Sequence, residues 1–403
     1  MKKKDGTSRR SFLKTAAISG AGLGMAGTIG AATAPEADKA TPAPAPKVPR
    51  KTLGSTGEEV PILVLGCAQR FDDKYDKILH RAYKAGVDYL DTAHVYADGW
   101  SHKTIVPFLE QIGDRKKIWI TSKFPARPGT VEGFQKGLDT CLSELQTDYL
   151  DLFFMHALDD PKHLDPEYIK MGEGMRKSKK TRFFGFSCHG DRQMEMLTKA
   201  AEVGGIDVIM FRYSFAQYGD LALNKAIDAL KKKGVGLIAM KTQDSVPKDQ
   251  AEVVQFQSKN FNLAQAKLKA VWADERIDSA VSHMDNTTKL KENVEAAKSP
   301  IQLSMNEFQQ LQRLATATAA YSCHGCSQIC ESQVPGETKI ADALRFLMYH
   351  ESYGEQDKAR TLFSRMTPAE RAIDGVDFAG ATAACPRGID IASRMRQAVD
   401  RLA

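Results

Sequence analysis

Three things this sequence lacks narrow what it can be. The formal charge is +6 over 403 residues, yet Lys2, Lys3, Lys4, Arg9, Arg10 and Lys14 against Asp5 supply five of those charges within residues 1–34. The remainder is almost neutral, which leaves no basic surface for nucleic acid. No Gly-x-Gly-x-x-Gly turn follows the first apolar strand, so a doubly wound dinucleotide-binding sheet is not the expected fold. The apolar run at residues 15–30 is too short and too rich in glycine to make a good membrane span. Cysteine is sparse as well: of seven, Cys141 reads as core, while Cys67 and Cys188 sit at strand ends and read as packing. What remains is a hydrophobic fraction of 42%, ordinary for a globular chain with a sizeable core. Length and composition together suggest one large domain and one small one.

The excess charge belongs to the N-terminus. Ser8 to Lys14 reads SRRSFLK, a twin-arginine export motif, and the weak apolar run follows it. It predicts a signal over residues 1–34 that delivers a folded chain, cofactors inserted, through the twin-arginine translocase to the periplasm or another extracytoplasmic space. Pro35 hinders cleavage after Ala34; cutting after Ala31 is open, and an uncleaved signal would leave a membrane anchor. Residues 35–49 contain TPAPAPKVP and form a Pro-rich linker with no means of packing a core.

From residue 50 to 300 strands and helices alternate. A small hairpin at LGSTGEEV is placed to close a barrel floor, with strands at 61–66, 87–91, 118–123, 149–155, 182–187, 208–211, 235–240 and 279–282. Helices between them are expected at 74–85, 102–111, 131–145, 166–175, 192–202, 221–233, 261–272 and 287–297. Eight such repeats in roughly 250 residues are the size of a TIM (β/α)8 barrel. In that fold all strand C-termini open on one face. Three successive strand ends carry Asp91, Lys123 and His156, with Tyr96 just beyond the first. A single Asp after a strand is usually a helix cap, and a single Tyr a loop plug. Placed together on one rim, the four point to catalysis.

Their chemistry suits carbonyl reduction. Tyr96 would give the proton to oxygen. Free tyrosine titrates near about 10, and a buried Lys123 ammonium beside it would lower that value. Asp91 would keep Lys123 charged, and His156 would orient the carbonyl. No side chain supplies hydride, so a nicotinamide cofactor is implied, with a small carbonyl or alcohol as substrate.

YLDTAHVY with Tyr96, TSKF with Lys123 and MHAL with His156 resemble the catalytic tetrad of the aldo-keto reductase family. The opening LGSTGEEVPILVLG and the late LKENVEA resemble it too. The resemblance implies a barrel reductase that uses NADP(H). By that resemblance Ser187, followed by Cys188 and His189, stands where the family has Ser-Asn for the carboxamide. Met210 replaces a family Gln. Met240, followed by Lys241, aligns with the aromatic that stacks on nicotinamide. In SHMDNTTKLKEN, Lys289 stands where an Arg commonly meets the 2′-phosphate, and Glu292 and Asn293 are retained.

Residues 301–403 form a second, mainly helical domain. YSCHGCSQIC gives Cys323, Cys326 and Cys330, and Cys385-Pro386 follows much later. Three clustered cysteines with a remote Cys-Pro resemble ferredoxin-type ligation of a [4Fe-4S] cluster. The run from residue 340 to 366 reads as two packed helices that return the chain to the cluster. Structural zinc and disulfides are the other readings. Some aldo-keto reductase relatives carry an iron–sulfur tail, and this chain resembles that subgroup. The expectation is an exported reductase linked to a cluster, with an electron-transfer partner. The competing expectation is a redox or binding scaffold whose barrel no longer turns over nicotinamide. The loops at 157–166 and 243–255 carry no substrate-class signature.

Overall fold

The computed structural model describes residues 46–125, 129–190, 192–243 and 255–403. The signal at 1–34, the linker as far as residue 45, and positions 244–254 of the loop at 243–255 lie outside the described residues. Residues Pro46–Ala403 form one compact unit.

Strands β1 (Arg50–Thr52) and β2 (Glu59–Pro61) pair antiparallel as the expected hairpin. Eight parallel strands then close the barrel: β3 (Leu63–Gly66), β4 (Tyr89–Asp91), β5 (Trp119–Pro125), β6 (Leu150–His156), β7 (Thr181–Cys188), β8 (Val208–Arg212), β9 (Gly236–Met240) and β10 (Ser279–His283), which returns to β3. The expected TIM barrel is the observed fold. Its interior is filled by Val64, Tyr89, Trp119, Leu152, Phe154, Val208, Met210 and Ile238, with Leu53 and Val60 of the hairpin in the same cluster. A second apolar layer fills the space between strands and helices. Close approach of β7 and β8 depends on Gly185, where a Cβ would stand 1.8 Å from the Val208 carbonyl oxygen.

Local signals explain most element ends. Helix Val131–Leu145 starts where the Thr130 side chain accepts the Gly133 N–H, and it buries Phe134, Leu138, Cys141, Leu142 and Leu145 on one face, as its spacing predicts. The first helix begins at Lys77 instead of residue 74. Asp72 accepts the N–H groups of Lys74 and Tyr75 in a turn, and Asp76 then caps Ile78 and Leu79. Another begins at Leu263, two residues later than expected, because Asn262 and Gln265 form a reciprocal capping box.

Beyond the barrel, helix Met305–Ala317 packs back onto it, with Leu311 and Leu314 against Phe215, Phe261 and Ala270. The remaining helices build their own core. Ile340–Glu351 and Gln356–Ser364 are the expected pair, joined by Ala379–Ala384 and Ile391–Leu402. Ile340, Leu347, Phe363 and Met395 are buried at its centre, and Cys330 lies at its edge.

Candidate active site and cysteine cavity

Parallel register brings the ends of β4, β5 and β6 to one rim, each site residue two positions further along than the last: Asp91 pairs with Thr121 of β5, Lys123 with Phe154 of β6, and Pro125 with His156. Lys123 is 1% exposed and Asp91 3%. The Lys123 ammonium lies 2.8 Å from each carboxylate oxygen of Asp91, donating an aligned hydrogen bond to Oδ2, and donates another to the Thr92 carbonyl at 2.8 Å. It reaches the Tyr96 hydroxyl at 3.3 Å. The His156 ring stands edge-on to Tyr96 with centroids 5.6 Å apart. The structure thus brings together all four residues named from the sequence.

The electrostatics follow from burial and pairing. Burial alone would discharge Lys123, but Asp91 and then Tyr96 reverse that and hold its pKa above the usual lysine value. Burial lifts Tyr96 above the ordinary tyrosine value, and the opposing pull of Lys123 only partly offsets it. The lowering expected from the sequence is therefore present as a contribution but loses to desolvation. Burial, then the Lys123 charge, pushes His156 down to about 3, so its imidazole is neutral at physiological pH. A neutral imidazole can offer one N–H to a carbonyl without competing for the proton of Tyr96.

The backbone around these residues is held in an uncommon conformation. Ala97 and Asp98 after Tyr96, Ala157 after His156, and Lys241 after Met240 all have φ between 52° and 55°. Four of the six non-glycine residues with positive φ among the described residues therefore lie within two positions after a mouth residue, as strain kept at a functional site would.

A buried network fastens the Tyr96 loop to β5. Glu144 lies 3.0 Å from His94 Nδ1 and 2.7 Å from His102 Nδ1, and His102 Nε2 meets the Ser122 hydroxyl at 2.8 Å. No sequence motif announces Glu144, because its partners are 42 and 50 residues away.

The residues assigned to nicotinamide occupy the opposite arc of the mouth. Ser187 accepts the Ala157 N–H at 2.9 Å, and Met240 and Lys241 end β9. Lys289 is paired with Asp285 at 2.8 Å, and Glu292 lends its carbonyl to Gln265. The Asn293 amide donates to Ser282 at 2.9 Å. Ser187 and Asn293 are thus already engaged within the chain. Cys67, Cys141 and Cys188 are fully buried with thiols raised by desolvation, as packing residues should be. Arg212, at the end of β8, was missed. It donates to the carbonyl oxygens of His189 and His324, the latter at 2.7 Å, and so ties the cysteine loop to the barrel mouth. The strand-end logic that found the tetrad would also have found it.

Cys323, Cys326, Cys330 and Cys385 line one small cavity, together with His324, Ile340, Leu344 and Arg387. All four are free thiols in the structure, so the disulfide reading finds no support in their arrangement. Among the described residues, no group of three or more His, Cys, Asp or Glu side chains stands in an arrangement that holds a metal ion.

Known proteins match the barrel. The aldo/keto reductase family model covers residues 64–245. L-galactose dehydrogenase of Arabidopsis thaliana is 23% identical over 295 residues, covering 65% of this chain and 92% of that protein. A holo-form aldo-keto reductase from Bacillus halodurans superposes with a TM-score of 0.57 at 21% identity, over 67% of this chain and 97% of that one. One from Klebsiella pneumoniae, solved with NADPH, gives 0.50 at 21% identity, over 66% and 95%.

Proposed function

We propose that the barrel of this chain, which the aldo/keto reductase family model matches over residues 64–245, interconverts a small aldehyde or ketone and its alcohol, with NADP(H). The observation that carries this reading is the Lys123 ammonium held between Asp91 and the Tyr96 hydroxyl. A carbonyl placed between Tyr96 and His156 would accept the His156 N–H on its oxygen. As negative charge develops there, Tyr96 transfers its proton, and Lys123 stabilises the phenolate left behind. A reduced nicotinamide bound on the β7–β10 arc would supply the hydride. Ser187, Met240, Lys241, Lys289, Glu292 and Asn293 are the groups placed to hold it. Lys289 offers a cation to a 2′-phosphate once Asp285 yields. The Klebsiella neighbour was solved with NADPH, and the relatives include an NADP(+) glycerol 2-dehydrogenase and an NADH-dependent D-xylose reductase, which supports a nicotinamide cofactor and a small polyol or sugar carbonyl.

The cysteine cavity supports a [4Fe-4S] cluster within a C-terminal domain at residues 301–403. One zinc ion needs four sulfurs about 2.3 Å from a single point, whereas a four-iron cluster spreads its ligands over separate irons. Four thiols line one cavity, the donor number of either group, and the Cys-x2-Cys-x3-Cys spacing with a remote Cys-Pro favours the second. Arg212 places this loop against the mouth, which supports electron exchange between cluster and barrel. SRRSFLK supports export of the folded protein by the twin-arginine translocase to an extracytoplasmic compartment.

The engaged Lys289 and Asn293 favour a second reading, a scaffold whose barrel has lost nicotinamide turnover. One experiment separates them. Protein purified anaerobically is analysed for iron, sulfide and zinc, then titrated with NADPH and assayed with a panel of aldehydes and sugars. NADPH binding with turnover supports the reductase. Absence of both leaves the scaffold, and zinc or no metal removes the cluster.

A further inference from the structure

Two arginines at the cysteine cavity, Arg345 and Arg387, meet no carboxylate among the described residues. Among the described residues, three buried side-chain polar atoms lack a hydrogen-bond partner: Asp91 Oδ1, His324 Nε2 and Arg387 Nε. The first faces the Lys123 ammonium. The other two belong to residues that line the cavity of the four cysteines. Unpaired buried polar atoms are rare, and two on one small cavity call for a common cause.

Arg345 adds to the pattern. Its guanidinium would stand 3.0 Å from a Cβ at Gly325, so it presses on the loop between Cys323 and Cys326, and its charge acts on the Cys323 thiol. Arg345 and Arg387 form no ion pair and no hydrogen bond among the described residues. Four other half-buried arginines behave differently: Arg115, Arg176, Arg276 and Arg394 each meet a carboxylate at 2.6 to 2.8 Å. Glu331, a carboxylate that bears on Cys330, accepts the Ala341 N–H at 3.0 Å instead.

Two half-buried guanidinium groups beside neutral thiols are electrostatically unfavourable. Beside thiolates that ligate a metal cluster they are not. A four-iron cluster held by four thiolates carries a net charge of about −2 when oxidised and about −3 when reduced, and that charge is costly without nearby cations. His324 suits the same role. Its Nε2 is buried without a partner, the residue lines the cavity, and an imidazole N–H there can point toward a sulfur.

We propose that Arg345 and Arg387 are the counter-charges of an iron–sulfur cluster in this cavity, with His324 Nε2 and Arg387 Nε donating N–H···S hydrogen bonds, and that these side chains set how readily the cluster accepts an electron. This rests on the cluster reading above. Reduction adds one electron and changes no bond. Each cation favours the more negative, reduced state, so removing one makes reduction harder.

The test is a dithionite titration of the full-length, anaerobically purified protein, followed by its absorbance near 400 nm. Iron and sulfide analysis of the unmodified protein decides first whether the cluster reading stands; zinc, or no metal, ends that reading and this proposal with it. Given iron, R345Q and R387Q should each shift the reduction equilibrium about tenfold against the reduced state, equivalent to about 59 mV for one electron. R345K should stay near the unmodified value. R365Q, an exposed arginine of the same region, should not move it. Iron retained in both Gln variants with an unchanged midpoint overturns the proposal. Should the Gln variants lose iron, the Lys variants decide: iron kept by R345K and R387K supports a charge role, and iron lost from them as well means packing alone, which overturns it.

Discussion

Lys123 and Arg387 both place a cation at a candidate site, one at the barrel mouth and one at the cysteine cavity, and the chain treats them in opposite ways. Lys123 has Asp91, the Thr92 carbonyl and Tyr96 within 3.3 Å, all from the barrel itself. Arg387 leaves its Nε unpaired among four thiols. The tetrad is preorganised by protein groups alone, which is what transition-state stabilisation requires, since no reorganisation is then left for the moment of reaction. The cysteine cavity has two polar atoms without partners, and the cluster proposed above would supply what balances them. A self-sufficient region and a ligand-dependent one should fail differently when altered.

Replacing Tyr96 breaks the comparison most sharply on the barrel side. Y96F removes the proton donor but no buried charge, so kcat/KM for carbonyl reduction should fall by about 10² to 10⁴, with unfolding midpoint and iron content unchanged. C385S is its mirror image: iron and sulfide should be lost while the barrel keeps its fold by circular dichroism. If C385S removes turnover as completely as Y96F does, the cluster takes part in the reaction cycle; if turnover survives, the two regions are chemically independent.

Removing Lys123 tests how far the tetrad's order depends on its ion pair. K123M leaves Asp91 buried and unpaired, which should cost about 3–5 kcal/mol of stability in a urea melt, and most of that should return in the D91N/K123M double variant. A K123M protein as stable as the original would mean that the pair is not held as tightly as its geometry implies.

These two regions were not equally legible in the sequence. The barrel and tetrad could be read because Asp91, Lys123 and His156 lie at or near the ends of successive strands, with Tyr96 just beyond the first, and a parallel barrel brings strand ends together wherever they fall in sequence. The cysteines could be found by spacing. What lay hidden was pairing across long separations: Glu144 with His94 and His102, Arg212 with His324, and Asn293 with Ser282. The sign of the Tyr96 shift was also hidden, because Lys123 is visible in the sequence as a neighbour while the depth of burial that outweighs it is a property of the whole mouth.

Acid should probe the self-sufficient side in a graded way. His102 is fully buried, and burial, only partly opposed by Glu144, pushes its pKa down to about 4. Its folded form is neutral, whereas an unfolded imidazole binds a proton below about 6.5. The unfolded state therefore holds more protons between those values, and stability must fall as pH drops from about 6.5 toward 4, by at most about 1.4 kcal/mol per pH unit for this one group. Urea melts across that window should show a shallower fall for H102Q. An equal slope in both proteins would assign the acid sensitivity to other groups.

The smallest effect should come from Glu144, which touches no reacting atom and acts only by holding the Tyr96 loop to β5 through His94, His102 and Ser122. Its loss is limited because the His94 N–H also donates to the Lys123 carbonyl at 3.0 Å, a second tie between the same two segments. One weakened hydrogen-bonded link is worth about 1 kcal/mol, so E144Q should lower kcat by about three- to tenfold and leave KM nearly unmoved. E144A should lower it further, and E144D should restore part of the loss, which a change in packing volume alone would not produce. Equal kcat in all three variants would show that the backbone tie suffices, and that the tetrad's geometry is fixed by the strand register alone.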